Sequence, residues 1–593
     1  MACFLTYLWM RDIGASENAS FISAVAYGLG GYLMSTINLT ISLCSAAYFP
    51  LILLVFRRSL KESGFFWKGV TGVVFLFQFL AGDPAVIFTT FLTCALFAAY
   101  KTFEIFLSTS HWDFRYMRTF IIIGLVFAGL GAFQLFMFVE AVSLSHRVHY
   151  PLEESFKWSL NPGQLLNIAI PYAASIQWHL INAVRNNWLT NTYGGLTVIT
   201  LSAAALFKKR EKITSYFILL ALLGIALSLG KHSPICLWLY KNAPLFSLVR
   251  FPQRFFFLTS FALACLAGLG FDNLKLSRTI PFLIVLALVV FDLGVNNVLE
   301  PAIPARCLTE PTEQVRVVMK DLTLFRVMGS PKIMAGIPPV SKTIEGNQRE
   351  YKDRFFPNHL LLYKIYDALA HDSLYFDDAL LVLRRFAKSS TETQAKFMDF
   401  LNIKYLSRPF QIEDGHVEFL RKTNGNRLYR NKGVMPRAYL VNKAEVEKRE
   451  NILNRMGAPS FDPGKTIFIE EPFFKEDKGA AAFLTNSFRN EVFILDYLPN
   501  FVRMRAVVKD KQWLFLSDSY YPGWHVFVDD QPATIYRANY AFRAVYLSPG
   551  THEVTWRYTP RCLFLGLGVS FSTLLALSMY CFFGSKRLFT CFV

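Results

Sequence analysis

The sequence predicts a polytopic α-helical membrane bundle that carries an extracytoplasmic α/β segment and a β-sandwich and is closed by a C-terminal transmembrane helix. Three observations carry that expectation. Of the 593 residues, 53% are hydrophobic and only 18% are charged, where soluble globular chains average about 25% charged. The long apolar runs gather in 19–298, with one more at 562–583. Between them, residues 299–560 have the composition of an ordinary soluble protein. The chain therefore divides into a multi-span bundle (1–298), a mixed α/β segment (299–489), a β-sandwich (490–560), and a final membrane helix with a short cytoplasmic tail (561–593).

A helix needs about 20 apolar residues to cross the hydrocarbon core. The runs that approach this are 19–36, 41–56, 66–80, 85–108, 116–140, 193–207, 213–230, 254–271, 279–297 and 562–583, about ten spans. The first two can also be read as one broken helix. Met1–Met10 is apolar without a basic flank or a small-residue cleavage site, so it reads as the tail of a helix rather than as a signal peptide.

Basic residues set the orientation. Arg57, Arg58 and Lys61, then Arg115 and Arg118, then Lys208, Lys209, Arg210 and Lys212, then Lys275 and Arg278, and finally Lys586 and Arg587 all fall on one side if the spans alternate. The excess of Lys and Arg in cytoplasmic loops makes that side the cytoplasm. The turn at Asn38, the Gly82-Asp83-Pro84 turn, segments 141–192 and 231–253, and the domain 299–560 then face outward. Both ends of that domain meet membrane segments, which is expected to hold it over the outer mouth of the bundle.

The formal charge of +18 is spread over short loops with no compact basic tract, which excludes a nucleic-acid footprint. Nine cysteines, mostly within apolar runs, are not a disulfide framework. Cys236 and Cys307 are either a bridge or two isolated thiols. There is no Walker A or G-x-G-x-x-G segment, so nucleotide-driven chemistry is not expected.

In the soluble part, Gln394–Leu401 has helical spacing and Ile403–Leu406 reads as a short strand. His552, Val554, Trp556 and Tyr558 alternate with Glu553, Thr555 and Arg557, and Trp524, Val526 and Val528 alternate with His525, Phe527 and Asp529. Period-two alternation between the turns at 529–532 and 548–550 predicts antiparallel strands.

Several motifs carry a resemblance. Tyr520-Tyr521-Pro522-Gly523-Trp524, Val528-Asp529-Asp530, Tyr536-Arg537-Ala538-Asn539-Tyr540-Ala541-Phe542-Arg543 and Pro549-Gly550-Thr551-His552 are similar to the C-terminal signature of the bacterial YfhO membrane-protein family. Upstream, Ala81-Gly82-Asp83-Pro84, Leu227–Pro234 and Pro244–Phe255 also resemble it. The resemblance implies a GT-C-type glycosyltransferase in the bacterial cytoplasmic membrane. Its donor would be a polyprenyl-phosphate-linked sugar and its acceptor a cell-envelope glycan or teichoic-type polymer at the outer face. The family's first outer loop, where such enzymes keep a catalytic acidic residue, has no counterpart in this sequence.

Inverting sugar transfer needs a carboxylate to take the acceptor's proton and cations or a metal to hold the leaving phosphate. The outward carboxylates are Asp83, Glu140, Glu153 and Glu154. Asp83 before Pro84 fits a helix N-cap as well as a substrate or metal ligand. Glu153 and Glu154 fit a solvated face as well as an acceptor contact, and Glu140 fits an interfacial helix end. Arg250 and Arg254 flank Pro252 where a span begins, with Lys231 and His232 in the same outer segment. Arginine's planar fork suits phosphate, so these four form the expected lipid-phosphate clamp, against the alternative of snorkelling to headgroups. Trp158, Tyr521 and Trp524 are the candidate sugar-contacting aromatics, against simple packing. His146, His149, His179 and His232 match no metal-binding spacing; no cofactor is indicated, and a divalent metal would have to be held by carboxylates. Two further functions stay open, a lipid-linked glycan flippase and a non-catalytic glycan-binding or assembly protein.

Overall fold

The structure is a computed structural model. It describes all residues except 63, 150, 172–188, 190, 208–211, 244–245, 247–248, 276–278, 298–302, 330–342, 370–373, 424, 472–490 and 590–593. His179, Arg278 and the basic group at 208–210 thus lie outside the described residues. Two compact units are present. One comprises Met1–Phe138, His149–Glu300 and Leu563–Val593; the other comprises Val139–Val148 and Pro301–Cys562.

The first unit is helical. Among the described residues, five helices are long and apolar enough to cross a membrane: Thr40–Lys61, Pro84–Thr109, Pro252–Asn273, Thr279–Asn296 and Arg561–Phe582. A sixth results if Arg115–Leu130 and Ala132–Ser143, bent by 82°, count as one span. Among the described residues the ten apolar runs do not all form helices of membrane length. The run 19–36 is broken into Glu17–Gly28 and Gly31–Ser35. The run 193–207 forms only the nine-residue helix Leu196–Ala204, and 66–80 forms a fifteen-residue helix. Apolar helices this short can be covered by neighbouring helices without having to reach across a bilayer.

Packing centres on Pro252–Asn273, whose apolar window is 83% buried, whereas Thr279–Asn296 and Arg561–Phe582 are 11% and 6% buried. Phe257 and Phe261 on the central helix each meet the ring of Phe49 edge-on at 5.0 Å. Helices Thr40–Lys61 and Pro252–Asn273 run between the same two ends of the unit. At one end Arg57 and Arg58 pair with Asp12 at 2.6 and 3.2 Å, and Ser16 donates to Asp272 through its hydroxyl (2.5 Å) and its N–H (3.0 Å). At the other end lie Ser42, the 81–84 turn and Arg254, which are bonded to one another. The turns at Asn38 and Asp83 and the segment before Pro252, grouped on one side by loop charge, are thus at one end. Cys236 and Cys307 are both free thiols.

Among the described residues the second unit holds three sheets. A mixed five-stranded sheet has the order Tyr366–Asp367, Arg326–Met328, Ile403–Arg408, Asn426–Asn431, Val417–Thr423. The helix Thr391–Phe400 and the strand that follows it were legible in the spacing. A six-stranded sheet joins Ala438–Val441, Gln512–Ser519, Phe542–Leu547, Tyr536–Ala538, Thr466–Glu470 and Lys443–Glu447. A C-terminal five-stranded sheet joins Gln531–Ala533, Trp524–Val528, Gly550–Tyr558, Phe501–Val508 and Glu491–Leu498. The alternating residues Val526, Val554 and Trp556 of this last sheet share one apolar cluster with Leu440, Leu514, Leu516 and Val545 of the six-stranded sheet. The six-stranded sheet takes three of its strands from residues before 490.

Signature residues hold these sheets together. Asp529 and Asp530 adopt φ of 51° and 62°, the conformation of a two-residue hairpin turn. Asp529 accepts from the Glu553 N–H at 2.8 Å and lies 2.7 Å from His552 Nδ1. Gly523 has φ +94°, and a Cβ there would come within 3.0 Å of the Pro560 backbone. Asn539 is fully buried; its side-chain oxygen accepts from the Phe468 N–H at 2.9 Å and its own N–H donates to the Phe468 carbonyl at 2.8 Å. Removing that side chain orphans a buried N–H. Asn539→Ala should therefore lower stability by about 1–3 kcal/mol, read as a lower unfolding midpoint of the purified protein; an unchanged midpoint would refute this role.

Candidate functional site

The Gly82-Asp83-Pro84 turn starts the helix Pro84–Thr109. Gly82 supplies the left-handed φ of +98° that the turn needs. Asp83 then caps the helix, with one carboxylate oxygen accepting from the N–H groups of Ala85 (3.0 Å) and Val86 (3.4 Å). The cap is only part of its role. The same oxygen, Oδ1, lies 2.9 Å from Arg254 Nη1, and Oδ2 accepts from the Ser42 hydroxyl at 2.5 Å. Asp83 is fully buried and the Arg254 side chain 18% exposed. A carboxylate in such a place must be paired and hydrogen-bonded to stay charged. Two helix N–H groups, one hydroxyl and one guanidinium supply that here. Sequence spacing gave no sign of Ser42 as a partner, because it sits 41 residues away at the start of another helix.

Arg254 lies in the first turn of the central helix, just after the loop that leads into it. Phe251, at φ +66°, donates its N–H to the Ser155 carbonyl at 3.2 Å. Its ring lies under both guanidiniums, 4.5 Å from that of Arg250 and 5.4 Å from that of Arg254. The Trp158 ring stands 4.2 Å from the Phe251 ring, and the Trp158 carbonyl accepts from Gln253 N–H at 3.3 Å. Gly230 closes the group from the third segment. With φ +50°, it sits so close that a Cβ would come within 2.2 Å of Ser159 Oγ and 2.7 Å of the Pro252 ring. The next residue, Lys231, donates its backbone N–H to Ser159 Oγ at 3.1 Å.

Segments 155–160, 230–231 and 250–254 are therefore one structure. They bring together Trp158, Lys231, Arg250, Arg254 and Asp83. Lys231 and His232 are exposed. Partial desolvation, and then the neighbouring Lys231, lower the His232 pKa. Glu154 is tied to Lys157 by an ion pair, while Glu153 on the same turn is exposed.

Tyr521 and Trp524 belong to the other unit. The Tyr521 hydroxyl bonds Glu140, and burial followed by that carboxylate raises its pKa. Trp524 lies 5.4 Å from the Tyr558 ring and carries the Arg543 guanidinium at 4.0 Å over its face. Among the described residues no group of three or more His, Cys, Asp or Glu side chains could hold a metal ion.

Residues 482–570 match the family model of the bacterial membrane protein YfhO. The match covers the strands and turns on which the C-terminal signature rests, so the resemblance read from those motifs holds there. Three solved structures of the mycobacterial arabinofuranosyltransferase AftD are also similar to the chain. One has 11% identity and a TM-score of 0.44 over 94% of this chain and 50% of that one. A mutant of the same protein has 12% identity and a TM-score of 0.40, over 94% and 53%. The chain thus spans about half the length of the solved structures it matches. No curated protein matches it. The YfhO signature and the Asp83–Arg254 group lie in different units.

Removing one partner of a buried pair leaves an uncompensated charge, at a cost of about 3–5 kcal/mol. Arg254→Met should therefore lower the unfolding midpoint strongly, and adding Asp83→Asn should restore much of the loss. Additive losses in this double-mutant cycle would show that the two side chains do not depend on each other.

Proposed function

We propose that this chain is a membrane glycosyltransferase-like protein that takes a polyprenyl-phosphate-linked sugar and modifies a cell-envelope glycan or polymer at the outer face of the bacterial cytoplasmic membrane. One observation carries the reading. Arg250 and Arg254 share the Phe251 ring at the start of an apolar helix of membrane length, the Lys231 backbone is bonded to Ser159 in the neighbouring segment, and Asp83 fixes one of the arginines. A phosphate whose lipid tail lies along the bundle would meet two planar forks and an ammonium, each suited to a phosphate oxygen. A helix N-terminus at the same place also favours an anion. The YfhO signature supports the assignment to the cell envelope.

In the proposed reaction an acceptor hydroxyl attacks the anomeric carbon. A new C–O bond forms to the acceptor while the bond to the phosphate oxygen breaks. The leaving phosphate gains negative charge, which Arg250, Arg254 and Lys231 neutralise. The hydroxyl proton passes to a carboxylate. Asp83 has both oxygens engaged and no exposure, so in this reading it is a positioning residue for Arg254. Glu153, exposed on the turn two residues before Ser155, is the carboxylate with an oxygen open to an acceptor. Trp158, beside the arginines, offers the sugar a face.

Purified protein should bind a labelled polyprenyl-phosphate sugar and transfer the label to an envelope acceptor. Arg250→Ala should weaken donor binding about tenfold or more, as expected for the loss of a hydrogen bond to a charged group, without moving the unfolding midpoint. Neither binding nor transfer by the folded protein would sink the proposal. Translocation of the donor across reconstituted vesicles without transfer would assign a flippase instead.

A further inference from the structure

The mixed sheet of the sheet-bearing unit contains a feature that the transferase reading does not use. Three of its strands are parallel: Arg326–Met328 pairs with Tyr366–Asp367 on one side and with Ile403–Arg408 on the other. The chain thus leaves the middle strand to one side and returns past it to the other. The two connections cover opposite faces. Phe355 and Leu360, from the first, join one apolar cluster with Val327 and Tyr405. Val382, Phe386 and Phe397, from the second, join another with Met328 and Leu406. Where the strand order reverses in this way, the connections part at the carboxyl ends of two adjacent strands, and ligands bind in the crevice between them. Here those ends are Met328 and Arg408.

Arg408 is only 8% exposed. Its Nη1 donates to the carbonyls of Met328, at 3.2 Å, and Ser407, at 3.0 Å, which holds the guanidinium across the two strand ends. Its Nε and Nη2 have no hydrogen-bond partner among the described residues, yet neither is sealed from solvent. No carboxylate among the described residues answers its charge, and burial alone lowers its pKa, to about 10. Directly opposite Arg408 on the next strand is Arg427, and opposite Arg427 on the strand after that is Lys422. Residues directly opposite one another share a face of the sheet, and like charges there oppose pairing. Adjacent strands stand about 4.8 Å apart, so the three cations form a row roughly 10 Å long. Arg427 is half-buried and donates through Nη1 to the Pro409 carbonyl at 3.0 Å, while Lys422 is exposed. Neither has an ion pair among the described residues. Elsewhere on the same strands Arg430 is met by Glu418 and Arg421 by Glu313, so the unanswered row is a local exception.

We propose that the carboxyl end of these parallel strands binds a phosphate group, with Arg408 and Arg427 as its two guanidinium partners and Lys422 as a point charge at the rim. A charge taken out of water without a counter-ion opposes folding, and an anion laid across the row removes that penalty. Phosphate presents enough oxygens to accept from two planar forks and an ammonium together. Phe410, 51% exposed beside the Pro409 carbonyl that Arg427 holds, gives the uncharged part of a ligand an apolar face. The site does not rest on the transferase reading, and it is separate from the clamp at Arg250 and Arg254.

The test uses the whole purified protein, with glucose 1-phosphate, inorganic phosphate and neutral glucose as probes, read by calorimetry and thermal unfolding. Glucose 1-phosphate should bind saturably and raise the unfolding midpoint, while glucose should do neither. Inorganic phosphate bound equally tightly would identify free phosphate as the ligand, and weaker binding of it would identify a phosphate ester. Arg427→Ala should weaken the binding about tenfold, as expected for the loss of a hydrogen bond between charged groups. Lys422→Ala, at the exposed rim, should weaken it about threefold. Both variants should keep the ligand-free midpoint unchanged or higher, because each removes one of a row of like charges. Arg408→Met should abolish the binding; if it does not fold, the two rim variants decide. The binding should survive Arg250→Ala, in the other unit. No saturable phosphate binding, binding unaffected by Arg427→Ala and Lys422→Ala, or binding lost in Arg250→Ala would overturn the proposal.

Discussion

A charge inside an apolar bundle persists only where an opposite charge and hydrogen bonds meet it. Asp83 and Arg254 satisfy that condition together. Their pair joins the first turn of helix Pro84–Thr109 to the start of the central helix Pro252–Asn273, and the Ser42 hydroxyl brings in the helix Thr40–Lys61. The Phe251 ring then lies against a guanidinium whose position is already fixed, with the Trp158 ring against Phe251 and Gly230 against Pro252. The proposed phosphate site follows from this constraint, since a cation held from beneath keeps its remaining donors at a set place without relying on solvent.

The sheet-bearing unit handles charge differently in two places. Around Asp378 and Glu470, two arginines meet two carboxylates: Arg449 contacts both, and Arg537 lies 3.3 Å from Glu470. That network closes on itself. Around Asp518 the count does not balance, with three guanidiniums to one carboxylate. Balanced networks of this kind join neighbouring elements.

Much of the architecture was legible in the residues. The soluble composition of 299–560 marked off the sheet-bearing unit, and strict alternation in Trp524–Val528 and Gly550–Tyr558 gave strands whose inward faces are Val526, Val554 and Trp556. The Gly-Asp-Pro sequence announced a capped helix. What was not legible depends on pairs distant in sequence. Asp83 and Arg254 are 171 residues apart, and no periodicity links them. Arg437, just before the strand Ala438–Val441, meets Asp518 of the neighbouring strand Gln512–Ser519 through a pairing set only by the fold. Among the described residues fewer helices reach membrane length than there are apolar runs, because hydrophobicity records that a segment avoids water and does not record whether protein or lipid covers it.

That last distinction has a thermodynamic consequence. Helices Thr279–Asn296 and Arg561–Phe582 are apolar along their length and barely covered by the other described residues. Their surroundings must therefore be supplied from outside, by acyl chains or detergent. The amphiphile is then a component of the native state rather than a medium around it. A free energy of unfolding for this protein belongs to a protein–amphiphile pair, and the difference between two variants becomes a property of the protein when both share the same amphiphile.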